Sequence, residues 1–372
     1  MEPSEAIERL CAFAGRGACT DAERRAAVWL RDDLRARGHE AELRTHWTRP
    51  NWAAAVALAA LLGAGGSLLA IAVPLAGLIA AALGALGLAV EATGRVSPLR
   101  WFGRRRATQN VFAPGADPDR IELLIAARYD ASRRGLVLND RWRRFAVRIP
   151  SVRAVLAGCC AVVALCAAAR LHGTDGTWIG VAQLVPTVAL IAALAASLDI
   201  ALSEFSPGAD TASAAAAALA VHEELTRELP AELEPALLLV GAGEPGTRTL
   251  REHLRAANPR SIVLVELGPC TEGAVGWSAR HDQLKAAAAR AAEALELPPA
   301  RRPRGVTGAR RLPSVRIACL DARGRVPRSH QPDDLPEHVL PDASGAAVDL
   351  ALGISDALDA ELANRTRDAA AA

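Results

Sequence analysis

Hydrophobic and polar positions divide this chain into two kinds of text. One kind is unbroken. Trp52–Val90 contains no charged residue, and two further apolar runs cover Ala154–Ala169 and Trp178–Leu198. The other kind alternates. Short apolar runs predict strands at Ala41–His46, Asn110–Ala113, Ile121–Ala127, Ala236–Ala242, Ser261–Leu267 and Val315–Leu320. Between them, helical periodicity covers Thr211–Arg227, Thr247–Ala257, Gln283–Leu295 and Ser344–Leu362. Residues 3–38 predict two more helices, the second starting after a Thr20 N-cap and closing at Gly38. Strands separated by helices imply a largely parallel sheet covered on both faces, with its site at the carboxyl ends of the strands.

A membrane-crossing helix needs ~20 apolar residues, so the first run is long enough for two and the later pair for two more. The expected organisation is two inserted transmembrane hairpins, 51–100 and 135–203, within a domain made of 1–50, 101–134 and 204–372. The first turn is expected near Gly63–Pro74. Arg95, Arg100, Arg104, Arg105 and Arg106 follow the first hairpin, and Arg133, Arg134, Arg141, Arg143, Arg144, Arg148 and Arg153 precede the second. The first tip carries no arginine and the second only Arg170. The positive-inside rule then places the hairpin bases and the sheet domain in the cytoplasm of an inner-membrane protein. Anionic lipid heads or nucleic acid are the other uses of such clusters.

Composition changes this picture little. Hydrophobic residues are 51%, but alanine supplies much of that figure, so the runs rather than the total carry the membrane argument. The net charge of +2 gives no global drive toward nucleic acid. The seven cysteines include no CxxC pair, and Cys159, Cys160 and Cys166 lie in an apolar run, where cysteine acts as a small hydrophobe. The first residues are acidic, with no basic leader before a short apolar core, so no signal peptide is expected. There is no P-loop, and no GxGxxG with an acidic residue at the needed distance.

The polar motifs sit where the sheet would place a site. Thr108-Gln109-Asn110-Val111-Phe112-Ala113 precedes Arg128-Tyr129-Asp130 at a strand end. Gly208-Ala209-Asp210-Thr211-Ala212-Ser213 opens a helix. Then come Gly241-Ala242-Gly243-Glu244-Pro245-Gly246, the strand Val263-Leu264-Val265-Glu266, and His330-Gln331-Pro332-Asp333-Asp334 in a loop. In this order they resemble the zinc aminopeptidase family, number twenty-eight of the metallopeptidases, which includes leucyl aminopeptidases and glutamate carboxypeptidase relatives. The resemblance implies an α/β, zinc exopeptidase-like fold: a mostly parallel mixed sheet flanked by helices, here with the two hairpins inserted.

It also implies roles. Asp210 matches the carboxylate that bridges two zinc ions, and Glu244 and His330 match the other ligands of the first zinc, a donor set suited to that metal. Glu266 stands where the family has an aspartate ligand of the second zinc. Arg128 replaces that zinc's histidine, and a guanidinium offers no lone pair. Asp130 matches the residue that orients the lost imidazole, and without that imidazole it is expected to pair with an arginine or a backbone group, or to form a routine surface ion pair. Gly243 replaces the general base. Taken as two independent losses, Arg128 and Gly243 imply a relaxed need for hydrolysis, and the cofactor implied is one zinc or none. Arg128 is expected to pair with Asp210 or Glu266. Asp210 as a helix cap and His330 as a loop residue are the plainer readings. His222 and His253 are expected at the surface, and His281 is a weak candidate for the cleft.

Three functions remain open on this reading. The first is a membrane-anchored, non-hydrolytic aminopeptidase-like protein that binds a peptide or protein partner. The second is an active single-zinc hydrolase, and the third a structural membrane subunit. No nucleic-acid partner is expected.

Overall fold

The computed structural model describes residues 2–93, 98–139, 142, 151–243, 250, 252–254, 262–298, 303 and 312–371. The chain forms two compact units. One comprises Met1–Thr48, Ala107–Ser132 and Phe205–Ala372, the other Arg49–Arg106 and Arg133–Glu204.

The first unit opens with α1 (Pro3–Cys11) and α2 (Asp21–Ala36), the latter capped by the Thr20 side chain. Its strands are β1 (Glu42–Thr48), β2 (Arg106–Ala113), β3 (Ile121–Arg128), β4 (Leu233–Val240), β5 (Ile262–Leu267), β6 (Ala274–Ala279) and β7 (Ser314–Leu320). They form one seven-stranded sheet in the order β1-β2-β4-β3-β5-β7-β6. The centre, β4-β3-β5-β7, is parallel, while β2 runs antiparallel to β4 and β6 to β7, so the sheet is mixed. The central strands are apolar on both faces, as double coverage requires. Leu123, Ile125 and Ala127 join one buried cluster, and Leu124 and Ala126 the other. Val240 and Arg128 are register partners, which brings the carboxyl ends of β3 and β4 side by side.

The second unit holds α3 (Trp52–Ala72), α4 (Pro74–Ala92), α5 (Val152–Leu171) and α6 (Thr177–Leu202). All four are long and apolar enough to cross a membrane. The first turn falls at Val73, the far end of the expected window, with Pro74 at the start of α4. Gly63–Gly66 lie within α3, and packing requires the glycine at position 66: a Cβ there would lie 2.9 Å from the Gly77 oxygen and the Ala81 nitrogen of α4. Small residues inside let backbones approach, as between membrane helices. Large apolar side chains such as Leu68, Leu165 and Val185 are exposed instead.

After this unit, α7 (Ala209–Arg227) returns to the sheet unit, followed later by α8 (Asp282–Ala294) and α9 (Pro341–Ala371). Two histidines depart from expectation. His222 is buried on α7, and its pKa is pushed down to about 3, by burial first and then by nearby His39. His253 is half-buried, with its ring 4.8 Å from that of Phe112, and burial followed by Arg44 pushes it down to about 4. Both lie on helix faces turned toward aromatic partners, which periodicity in an alanine-rich text does not resolve. His281 is exposed at the start of α8.

Candidate functional site

The strand ends deliver two loops to one place. Tyr129 follows β3 and donates its N–H to the Val240 carbonyl at 3.3 Å. Its ring turns into the core, where the hydroxyl donates to the Gln109 carbonyl at 2.7 Å. Asp130, next along, is fully buried. Its Oδ1 accepts the Gly243 N–H at 2.7 Å, and its two oxygens accept Nε and Nη2 of Arg128, both at 3.3 Å. Among the described residues, the ion pair of Arg128 is thus with Asp130, two residues away, and not with Asp210 or Glu266. The physical reason is local. Asp130 is already buried at the strand end, and a guanidinium folded back over it offsets that charge at short range.

The same placement links the two departures from the family pattern. A Cβ built on Gly243 would overlap the Nε, Cδ and Cγ atoms of Arg128. The arginine side chain therefore lies in the space that a side chain at 243 would enter. With Arg128 in this position, any side chain at residue 243 would require Arg128 to move. Glu244 lies outside the described residues.

Three side chains hold the loop after β4 by accepting three successive N–H groups. Asn110 takes Gly241 at 3.1 Å, Glu23 takes Ala242 at 2.8 Å, and Asp130 takes Gly243. Ala242 sits at φ +48°, a left-handed conformation that costs energy outside glycine and needs such support. Glu23 is buried, and its pKa is pushed up to about 8, by burial first and then by the charge of Asp130. Sequence reasoning missed this glutamate. Its spacing three residues after Thr20 reads as a helix-capping box. Thr20 does accept the Glu23 N–H, but the carboxylate reaches onward to Cys19, Thr108 and Ala242.

The other half is built at the start of α7. Gly208 precedes it at φ +82°. Asp210 is buried in the first turn; its Oδ1 accepts the Thr211 N–H and its Oδ2 the Ser329 hydroxyl, both at 2.7 Å. Asp334 caps the helix from a distance, accepting the Asp210 N–H at 2.8 Å. Burial, and then the charge of Asp210 beside it, push the Asp334 carboxyl up to about 9. Like charges so close disfavour joint ionisation. His330 follows Ser329 in the chain and sits half-buried at φ +68°. The loop thus brings the segment carrying His330 to Asp210 through a serine that no motif singled out.

Glu266 lies beside Arg316 at 3.7 Å, its register partner on β7. The parallel register pairs it with Ala126, so it shares a sheet face with Arg128 but falls two residues short of the strand end.

One further residue joins both halves. Arg16 is fully buried, and its guanidinium donates to the carbonyls of Leu10, Tyr129 and Gly208. Tyr129 precedes Asp130, and Gly208 comes two residues before Asp210, so one cation fixes the backbone at both ends. A lone Arg in the loop after α1 gave no sequence signal.

A dinuclear zinc centre does not fit the residues present. Arg128 offers no lone pair and is committed to Asp130, and among the described residues no three His, Cys, Asp or Glu side chains gather to hold a metal ion. Of the first zinc's set, Asp210 and His330 are described and Glu244 is not.

No family model matches the chain, and no curated protein matches it. Solved structures do. A glutaminyl cyclase of Bacteroides thetaiotaomicron, solved with N-acetylhistamine, aligns over 95% of this chain and 96% of its own at 11% identity and TM-score 0.55. A zinc-dependent exopeptidase of Parabacteroides distasonis aligns over 95% and 96% at 13% identity and TM-score 0.53. A zinc aminopeptidase of Bacillus subtilis aligns over 95% and 94% at 11% identity and TM-score 0.54. At such identities the likeness establishes the fold: this chain has the mixed α/β architecture of zinc exopeptidases and glutaminyl cyclases.

Proposed function

We propose that this chain is a membrane-anchored, zinc exopeptidase-like protein that binds a peptide or protein partner at its degenerate site without hydrolysing it. The observation that carries the reading is Arg128 lying over Gly243 and bonded to Asp130. That arrangement supports the loss of the base and of one metal position as a single change. General-base assistance is worth ~10²–10⁴-fold, and glycine offers no acceptor in its place.

Anchoring rests on four long apolar helices with large side chains outward and small ones inward. In water such a surface would be an aggregation hazard, whereas in lipid it is the expected pattern. The arginine distribution supports a cytoplasmic sheet unit.

Purified protein in detergent should turn over no member of a panel of amino-acid amides, dipeptides and N-terminal glutaminyl peptides. Zinc-dependent turnover that disappears in Glu244→Ala would overturn the reading. It would favour the rival, a single-zinc hydrolase using Asp210, Glu244 and His330, for which the Ser329 link between Asp210 and the His330 loop is the supporting observation.

A further inference from the structure

At the arginine-rich end of the helical unit lies a cavity of about 290 Å³. Its charged lining is Arg49, Arg100 and Arg104, with no acidic residue among the lining side chains. Arg100 is already neutralised. It is buried and pairs through two nitrogens with Glu91, at 2.6 and 2.7 Å. Arg49 donates Nε to the Gly103 carbonyl at 3.1 Å, and among the described residues neither Arg49 nor Arg104 meets a carboxylate. Two positive charges therefore remain uncompensated around one small volume.

The rest of the wall has two characters. Asn51 stands at the N-terminus of α3 without a side-chain cap, so unsatisfied N–H groups of the first turn add partial positive charge. Ala54, Ala55, Leu58, Leu99 and Phe102 make the remainder apolar. Trp101 and Phe102, on the short 3₁₀ segment Pro98–Phe102, are 67% and 83% exposed. Exposed aromatic residues at the end of apolar helices mark the level where a bilayer meets water. A free anion would need only the charged half of this lining. An amphiphile with a phosphate head and an acyl chain matches both halves.

We propose that the cavity lined by Arg49, Arg104 and the first turn of α3 binds the phosphate-bearing headgroup of an anionic phospholipid. The proposal rests on the membrane-spanning reading of the helical unit. It gives the arginines of the first hairpin base a specific ligand beyond their general effect on orientation.

The test uses the full chain. Carbonate extraction of membranes first asks whether the protein is integral; release would end the membrane reading and this proposal with it. Retained protein is then purified in detergent and titrated with phosphatidylglycerol, phosphatidylcholine or inorganic phosphate, with bound lipid read by native mass spectrometry and melting temperature read in parallel. Phosphatidylglycerol should stay bound and raise the melting temperature, and the other two should not. In Arg49→Gln/Arg104→Gln its affinity should fall roughly ten- to thirtyfold, the equivalent of ~1 kcal/mol per arginine. Arg105→Gln, an exposed neighbour outside the cavity lining, should leave it unchanged. Equal effects of phosphatidylcholine would overturn the proposal while leaving the anchoring intact. So would equal stabilisation by inorganic phosphate, or undiminished binding by the double variant.

Discussion

The two halves of the site bury carboxylates by different means. Around Asp210 the donors are neutral. The Thr211 N–H and the Ser329 hydroxyl complete its oxygens, burial and the Asp210 charge push the neighbouring Asp334 carboxyl up, and among the described residues no cation pairs with Asp210 directly. Around Asp130 the solution is ionic, with a guanidinium on one side and the Gly243 N–H on the other. In the ionic half, Arg128 also fills the space that a side chain at residue 243 would enter, so the two positions compete for one volume.

Arg16 is the element common to both halves, and removing it should produce the largest effect. Arg16→Met would remove three buried charge-assisted hydrogen bonds, leaving the Gly208 carbonyl to the Ala212 N–H, the Leu10 carbonyl to the Phe13 N–H, and the Tyr129 carbonyl without its guanidinium donor. At ~1.5–3 kcal/mol for each hydrogen bond to a charged group, less whatever relaxation recovers, the loss should reach ~3–5 kcal/mol. Denaturant unfolding of the full chain in detergent would measure it. A loss under 1 kcal/mol would mean that the halves are held separately.

Glu23 tests whether the ionic half also contains a proton switch. Its folded pKa of about 8 lies above the 4.5 of an ordinary glutamic acid. Between these values the folded state keeps a proton that the unfolded state has released. The contribution to stability is therefore complete below the unfolded value and is lost as pH rises toward 8. The slope is ~1.4 kcal/mol per pH unit inside that window. Wild type should lose melting temperature between pH 5.5 and 7.5 more steeply than Glu23→Gln. Parallel profiles would show Glu23 to be ionised throughout.

The sheet and the helical unit were legible for a simple reason: both write their burial into long, regular patterns. β3 and β4 read as strands because short consecutive apolar runs, Leu123–Ala127 and Ala236–Val240, leave no helical face polar. The charge-free run to Val90 needed only its length. The site was legible where one residue type stands in for another, as at Arg128 and Gly243. It was illegible where the partner comes from far along the chain. Asp334 pairs with a residue 124 positions earlier, and Glu23 with one 219 positions later. No local pattern reports such closures. Asp130 does pair with an arginine and a backbone group, as expected, but the arginine is Arg128, which the sequence assigned to two distant carboxylates instead.

Restoring a carboxylate at 243 separates volume from chemistry. Gly243→Glu alone should destabilise the protein by ~1–3 kcal/mol, the usual cost of inserting a side chain into occupied space, and should create no peptidase activity. Arg128→His/Gly243→Glu should recover most of that stability. It is also the variant in which zinc uptake, read by metal analysis, is expected to rise. A single Gly243→Glu variant as stable as wild type would mean that Arg128 leaves the space freely.

The smallest effect is the most discriminating. Arg128 is about one third exposed, and both of its bonds to Asp130 are long, at 3.3 Å. Water can replace much of what it gives, and Asp130 keeps the Gly243 N–H. Arg128→Ala should therefore cost only ~1 kcal/mol, near the upper end for partly exposed pairs. Its value lies in a cycle with Gly243→Ala. Position 243 is outside the left-handed region, so alanine carries no backbone penalty there, and its cost in wild type comes from displacing Arg128. That cost should be ~1–2 kcal/mol with Arg128 present and close to zero in the Arg128→Ala background. Additive effects in the cycle would show that arginine and glycine arose separately and that the ionic half is two losses after all. Coupling near the full cost of Gly243→Ala would establish that a single arginine both neutralises Asp130 and keeps the base position empty.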